Sequence, residues 1–503
     1  MTEYQKQRSL LELFTTRQNL GIDDGQRAFL EWLTLEDLNK QAKYRNYREY
    51  YDGEHAVMLT DRQKKFLELA TGQQFSANFC PLVVDELERR MLVSGFDAEG
   101  NKKVGGPKGV LWRWWRMDNM DADQSDTHLS AIRDGDSYVI VAWNDEEERP
   151  EFHHNMAYDG TEGVAPYYSD ETGKLTHATK RWLVTNTGDQ AAGIAKRMNV
   201  YYPDRVERYI ADGSHGGDFY PYTLDGKPGV IDWSDPITGK PFGIAVHHLK
   251  YKSGGYRMGK SILEDVIPLQ NGLNKALVDV VAAADTTGFR LYWATGTDMT
   301  DENDEPLQVH PGTFLTSTSP DSRFGFIPGE DLRPLIEVVD MWKVSIAQVS
   351  ETPMHLFQVS GQNASEGAQK QQEVGMINKA TYWGRSVGNM WEQCMQQSIL
   401  LSNAYAGTSY PTDLIVQTLW EDAEVRDKTT RRGQVATTAK TWVDAGASLE
   451  EAAIEAGVSE DRAKSLGKIE LPRLSPLAPG QQPMVPGQQP AAQQPVERED
   501  DAS

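Results

Sequence analysis

Two long helical patterns separated by an acidic, turn-rich insert, with a third following closely, constrain this 503-residue chain more than any other feature. Residues 261–287 (SILEDVIPLQNGLNKALVDVVAAADTT) read as the first helix, 332–350 (LRPLIEVVDMWKVSIAQVS) as the second, and 364–404, with Trp383 and Trp391, as the third. Residues 296–330 carry Asp298, Asp301, Glu302, Asp304, Glu305, Asp321 and Glu330 against the single base Arg323. Several Gly and Pro break this stretch around short strand-like runs, GTFLTS and RFGFI. A regular βαβ alternation needs a buried strand after each helix, and that order is absent here. Pro268 is expected to kink the first helix or mark a second start, and Gly288 to stop it.

Upstream, residues 5–133 read mainly as helix. Phe29, Trp32 and Leu33 share one helix face, and within 78–92 Leu82, Val83, Leu87 and Met91 form a stripe opposite Asp85, Glu86 and Arg89. LWRWWRM (111–117) reads as a packed helix whose arginines snorkel to water. The texture changes at Asp134. SYVIVAW (137–143) is a buried strand by length and β-branching, and to about residue 250 short strand-like runs alternate with turns such as Asp212-Gly213 and Asp225-Gly226. Downstream, 427–466 read as short helices, with Ser448 and Glu451 forming a capping box. The PGQQP-bearing segment 471–503 reads as a disordered tail.

Charge narrows the function. The 51 Lys+Arg against 74 Asp+Glu leave −23, which argues against a protein that grips duplex nucleic acid over a broad surface, since that requires clustered cations. It does not exclude one that surrounds nucleic acid without gripping it. Cys80 and Cys394 lie far apart with no CxxC spacing, so neither a disulfide framework nor a cysteine zinc site is expected. The N-terminal MTEYQKQRSLLELF lacks a signal-peptide core, and the longest apolar run, Tyr138–Trp143, is far short of a membrane span. The expectation is a soluble chain in a reducing cytosol.

The sharpest enzyme-like signal is Gly254 to Ser261 (GGYRMGKS), a literal G-x-x-x-x-G-K-[ST] after a strand and before a helix. In a nucleotide site Gly254 and Gly259 would let backbone amides approach phosphates, Lys260 would reach the β/γ oxygens, and Ser261 would hold magnesium. The competing reading is a glycine-rich turn with Ser261 capping the following helix. Nothing downstream supplies the later strand ending in Asp, and LIEVVD (335–340) lies inside a helical pattern. His153-His154 and His247-His248 put adjacent side chains on opposite strand faces, so no metal site is read. Asp134-Gly135-Asp136 is a helix-to-strand turn rather than a calcium loop. The helix-turn-helix rhythm of 448–466 carries five acidic against two basic residues, which argues against DNA reading. No catalytic constellation, metal site or cofactor site is read.

In order, these segments resemble the portal (head-to-tail connector) proteins of tailed bacteriophages, siphophage type, over about residues 25–466. The series runs YYDGEH (50–55), Asn78 with VVDELERRMLVSGF, DGDSYVIVAWN, GKSILEDVIPLQNGLNKALVDVVAAAD, the acidic insert, the second helix, ETPMHLFQVSGQNASEGAQ and WEDAEVRDKTTRRGQVATTAKTW. Within the family pattern, Gly259-Lys260-Ser261 resembles the turn entering the first stem helix.

The resemblance implies an α+β portal fold in a non-enzymatic ring, typically of twelve subunits, at one capsid vertex. Its parts would be an N-terminal helical wing (1–133), a β-rich wing (134–255), a first stem helix (256–288), a clip (289–330) and a second stem helix (331–351). A tunnel loop (352–363), a long wing helix and return (364–426), a helical crown (427–470) and the tail (471–503) would complete it. The clip, with Asp301, Glu302, Asp304 and Glu305, would face the terminase large subunit and later a head-completion adaptor. Lys275, Asp279, Glu337 and Lys343 would line the stem. Met354, His355, Phe357, Gln358 and Ser360 would face double-stranded DNA passing without sequence specificity. Major capsid and scaffolding proteins are the other implied partners, the virion the final location, and the host cytoplasm the place of assembly; no membrane and no cofactor are implied. The acid-leaning stem and the uncharged Phe357, Gln358 and Ser360 suit a collar along which DNA slides.

Overall fold

The computed structural model describes residues 38–55, 61, 76–99, 101–106, 108–169, 171–186, 193–211, 219–222, 229–255, 257–288, 292–296, 320–326, 331–357, 366–423 and 428–456. The chain divides into two units, Met1–Glu424 and Val425–Ser503.

In the first unit the helices are α1 (Leu38–Asp52), α2 (Cys80–Glu88), α3 (Val110–Met117), α4 (Met120–Asp134), α5 (Leu263–Gly288), α6 (Arg333–Ser350) and α7 (Glu366–Tyr405). Its strands are β1 (Val93–Ala98), β2 (Asp136–Asn144), β3 (Arg149–Met156), β4 (Gly163–Tyr168), β5 (Leu175–Asn186), β6 (Gly193–Tyr201), β7 (Arg205–Ala211), β8 (Tyr220–Pro221), β9 (Val230–Asp232), β10 (Val246–Lys250), β11 (Tyr292–Thr295), β12 (Arg323–Phe326) and β13 (Val416–Trp420). All paired strands are antiparallel, in sheets ordered β10-β2-β3, β4-β5-β6-β7-β8 with β9 on β7, β1-β13 and β11-β12. This is a mixed α+β fold.

The β-branched run expected to be buried is β2, the centre of its sheet, with Tyr138, Val139 and Val141 inaccessible to solvent. Among the described residues the helical reading of the N-terminal stretch fails at one strand. Residues 93–98 leave the helical pattern after Met91 and form β1, whose partner β13 lies more than 300 residues away, Phe96 opposite Thr418. Pro268 does not divide the first long helix; it sits within a continuous α5. The turns at Asp212 and Asp225, Phe29, Trp32, Leu33, GTFLTS and the tail lie outside the described residues.

The core gathers around α7. Trp391 packs edge-on to Trp115 of α3 at 4.8 Å, and Trp115 meets Phe96 of β1 at 5.2 Å. Further along α7, Trp383 stacks on Tyr251 at 3.8 Å. Full burial of side chains this large is the main apolar contribution to the unit, each on the order of 1.5–3 kcal/mol. The second unit contains α8 (Lys428–Asp444) and α9 (Leu449–Glu455), and the Ser448–Glu451 capping box is formed as the sequence predicts.

Candidate functional site

The turn bearing the nucleotide-like motif closes on the α4–β2 junction. Helix α4 ends at Asp134, Gly135 reverses the chain at φ 95°, and Asp136 starts β2. Tyr251 N–H donates to the Gly135 carbonyl, Lys260 N–H to the Tyr251 carbonyl, and Ile262 N–H to Ile132. The Gly259 amide donates to Asp136 Oδ1 at 2.7 Å. Buried Ser261 donates its hydroxyl to the Arg133 carbonyl and accepts from the Leu263 amide at 2.9 Å, which caps α5.

These contacts consume the groups a phosphate would need. Lys260 Nζ is bidentate to Asp265 at 2.8 and 2.9 Å, the Gly259 and Lys260 amides are taken by protein acceptors, and Ser261 is sealed from solvent. The preceding strand, β10, lies in an antiparallel sheet, whereas a phosphate loop follows a parallel strand. The turn-and-cap reading holds, and the nucleotide reading of Gly254, Gly259, Lys260 and Ser261 fails on geometry.

Asp134 and Asp136 make this junction rigid. Asp134 accepts from Arg48 of α1 and from Arg133. Asp136 accepts from Tyr44 Oη at 2.9 Å and from His248 Nε2 at 2.7 Å. Because the carboxylate accepts, His248 carries its proton on Nε2, leaving Nδ1 to accept from Tyr168 Oη at 2.5 Å. Burial holds His248 below the ordinary imidazole range, opposed by its bond to Asp136. The other three members of the two histidine pairs are also strand residues: His247 bonds Gln397, His153 lies 3.5 Å from Glu151, and His154 bonds Thr127 and Ser130. Among the described residues no acid, histidine or cysteine cluster has the form of a metal site.

From this junction α5 runs out, and α6 returns after the β11–β12 hairpin. The two helices meet where Trp342 lies on the backbone of Gly272; a Cβ there would stand 2.9 Å from the indole. Three amides on α5 fasten it to the N-terminal helices. Gln270 brackets the chain at Ala77 and Phe79, Asn274 accepts from Ala77 N, and Asn271 accepts from Tyr50 Oη. Sequence reading missed this role, although the amide-rich QNGLN within an apolar helix is its visible trace.

The predicted lining residues lie on this pair. Lys275 and Glu337 are exposed, Asp279 is half-buried, and Lys343 pairs with Asp340 at 3.0 Å. Asp301, Glu302, Asp304 and Glu305 lie outside the described residues, as do Gln358 and Ser360. Of the remaining predicted loop residues, Met354, His355 and Phe357 form a 3-10 turn after α6. Phe357 is buried and packs on Phe79 at 5.3 Å, and His355 lies 3.3 Å from Gln372 of α7. Lys379, which sequence reading also missed, projects from α7 to the Ser350 carbonyl at 2.5 Å and caps the end of α6. Burial pushes its amine down to about 8, Lys252 adds to the push, and Glu351 opposes it.

A family profile described as "Phage portal protein, SPP1 Gp6-like" matches residues 30–455. The chain belongs to this portal family. It is therefore a structural, non-enzymatic protein of the portal/connector kind. No curated protein matches it. Among solved structures it is similar to a chain in "Virion of native gene transfer agent (GTA) particle" at 10% identity, covering 84% of this chain and 99% of that one with a TM-score of 0.42. A chain in "Neck of empty GTA particle computed with C6 symmetry" is similar at 10% identity, covering 80% and 95%, with a TM-score of 0.44. Among the described residues no helix is long and apolar enough to cross a membrane.

Proposed function

We propose that this portal protein assembles as a ring, of twelve copies, at one capsid vertex and forms the channel through which the terminase packages the genome and through which DNA is later ejected. The family match across residues 30–455 carries this reading. A second feature supports the ring. Ile336, Val338 and Met341 on α6 and Trp293, Phe324 and Phe326 on the β11–β12 hairpin are exposed in the single chain. A two-stranded hairpin is marginal by itself, and apolar surface of this kind is what a neighbouring copy covers.

In this reading α5 and α6 are the stem, the segment between them is the clip that meets terminase and then the head-completion adaptor, and the segment after the 3-10 turn faces the DNA. Lys275, Asp279, Glu337 and Lys343 line the stem. Assembly takes place in the host cytoplasm with scaffolding and major capsid protein. Negative-stain imaging of the purified protein tests the ring: ring-shaped particles are expected, and their absence across assembly conditions counts against it. Deleting residues 358–362 spares Phe357 and its packing on Phe79. Rings should persist while packaging falls; unimpaired packaging would refute the loop assignment.

A further inference from the structure

In a chain of charge −23, one cleft gathers cations and no acids. It has a volume of about 390 Å³ and lies between the end of β10 and the middle of α7. Lys250, Lys252 and Arg385 line it together with Tyr382, Ser386 and Asn389. Among the described residues none of the three cations has a carboxylate within ion-pairing distance, whereas the neighbouring Lys260 and Lys343 are both paired. Lys250 rests over the Tyr168 ring at 4.8 Å and Lys252 over Tyr251 at 5.9 Å, which leaves their ammonium hydrogens without anionic acceptors.

Two further observations point to an anion. Lys252 stands on a turn with φ 43°, a left-handed conformation that a lysine rarely adopts and that only the surrounding structure maintains. The exposed face of α7 leading from the cleft, through Asn378, Asn389, Gln393 and Gln396, carries amides and no carboxylate. Tyr382, 71% exposed, stands beside Arg385 on that face.

We propose that this cleft binds the phosphate backbone of DNA. Lys, Arg, Tyr, Ser and Asn are the side chains that make phosphate contacts, and here they converge without a competing acceptor carboxylate. The ligand class is read from these donors; the choice of DNA as the source of phosphate rests on the portal reading. The cleft is a local exception to the acid-leaning surface, a point at which the protein holds the backbone without reading bases.

The test is fluorescence anisotropy of a short labelled duplex of random sequence with the full chain, titrated across salt concentrations. The double variant Lys252→Gln, Arg385→Gln replaces exposed residues, and an unchanged melting temperature verifies its fold. Each phosphate contact contributes about 0.9 to the slope of log K against log salt, so the variant's slope should be shallower by about 2. Inorganic phosphate at equal ionic strength should not displace the duplex. No duplex binding, an unchanged slope, or displacement by inorganic phosphate would each overturn the proposal. Imaging separates it from the portal reading: rings with an unchanged slope remove the cleft alone, and a changed slope without rings removes the portal reading alone.

Discussion

Gly135 and Gly259 meet backbone to backbone. A Cβ on Gly259 would stand 1.9 Å from the Gly135 carbonyl oxygen, and one on Gly135 would stand 2.9 Å from the Ser261 amide. Two chain reversals, separated by more than a hundred residues, thus close on each other where the β10-β2-β3 sheet hands over to α5. Gly259, one of the glycines that imitate a phosphate loop, is needed for this contact.

Gly259→Ala should therefore destabilise the protein strongly, because both sides of the clash are main chain. The expected cost is about 3 kcal/mol, at the upper end for overpacking. Lys260→Ala removes only an exposed ion pair and should cost about 1 kcal/mol or less. Thermal unfolding of the two variants checks the contrast, and equal losses would contradict it.

Gly272 and Trp342 set the approach of α5 to α6. Gly272→Ala should cost roughly 1–3 kcal/mol, since the indole must move. In a Trp342→Leu background the same substitution should cost much less, with a coupling of about 1 kcal/mol or more in a double-mutant cycle. Additive losses would show that the contact does not constrain the helices.

Acid should weaken the first unit well before its carboxylates titrate. Burial pushes His128 and His154 down to about 4, from an ordinary value of 6.5. The fold therefore favours their neutral forms. Their contribution is fully present above pH 6.5, declines as the pH falls from there, and levels off near 4. Trp391 Nε1–H donates to His128 Nε2 at 3.0 Å, a bond that protonation of that nitrogen removes. Chemical denaturation at pH 7 and pH 5 should differ by about 1–2 kcal/mol for each histidine. His128→Gln should remove about half of this pH dependence, leaving the share of His154; a flat profile in the wild type would refute it.

In the second unit, the Glu451 amide donates to Ser448 Oγ at 3.2 Å and closes the first turn of α9. Ser448→Ala should leave that amide exchanging with solvent about fivefold faster, as loss of an N-cap predicts. Hydrogen-exchange mass spectrometry on the peptide spanning 445–456 checks it.

Much of this architecture is legible along the chain because its signals are local. The capping box needs only Ser448 and Glu451 three positions apart, and β2 declares itself through consecutive β-branched and aromatic residues. Helices α5, α6 and α7 follow from periodicity, and the likeness to portal proteins from the order of such segments. The cleft was not legible, because Arg385 lies more than 130 residues along the chain from Lys250 and Lys252, and each looks like an ordinary solvated position. Nor was the burial of Phe357, whose partner Phe79 lies nearly three hundred residues earlier.

By itself the sequence determined the long helices, β2, the capping box, the family and the overall acidity, since each depends on residues within a few turns of one another or on simple composition. Tertiary structure alone decided that β1 pairs with β13, that Gly259 seats on Gly135, and that Lys250, Lys252 and Arg385 share one cleft. Those outcomes depend on which faces and edges remain to be satisfied once the core around α7 has closed. A turn motif or a lone lysine carries no record of the neighbour it will meet.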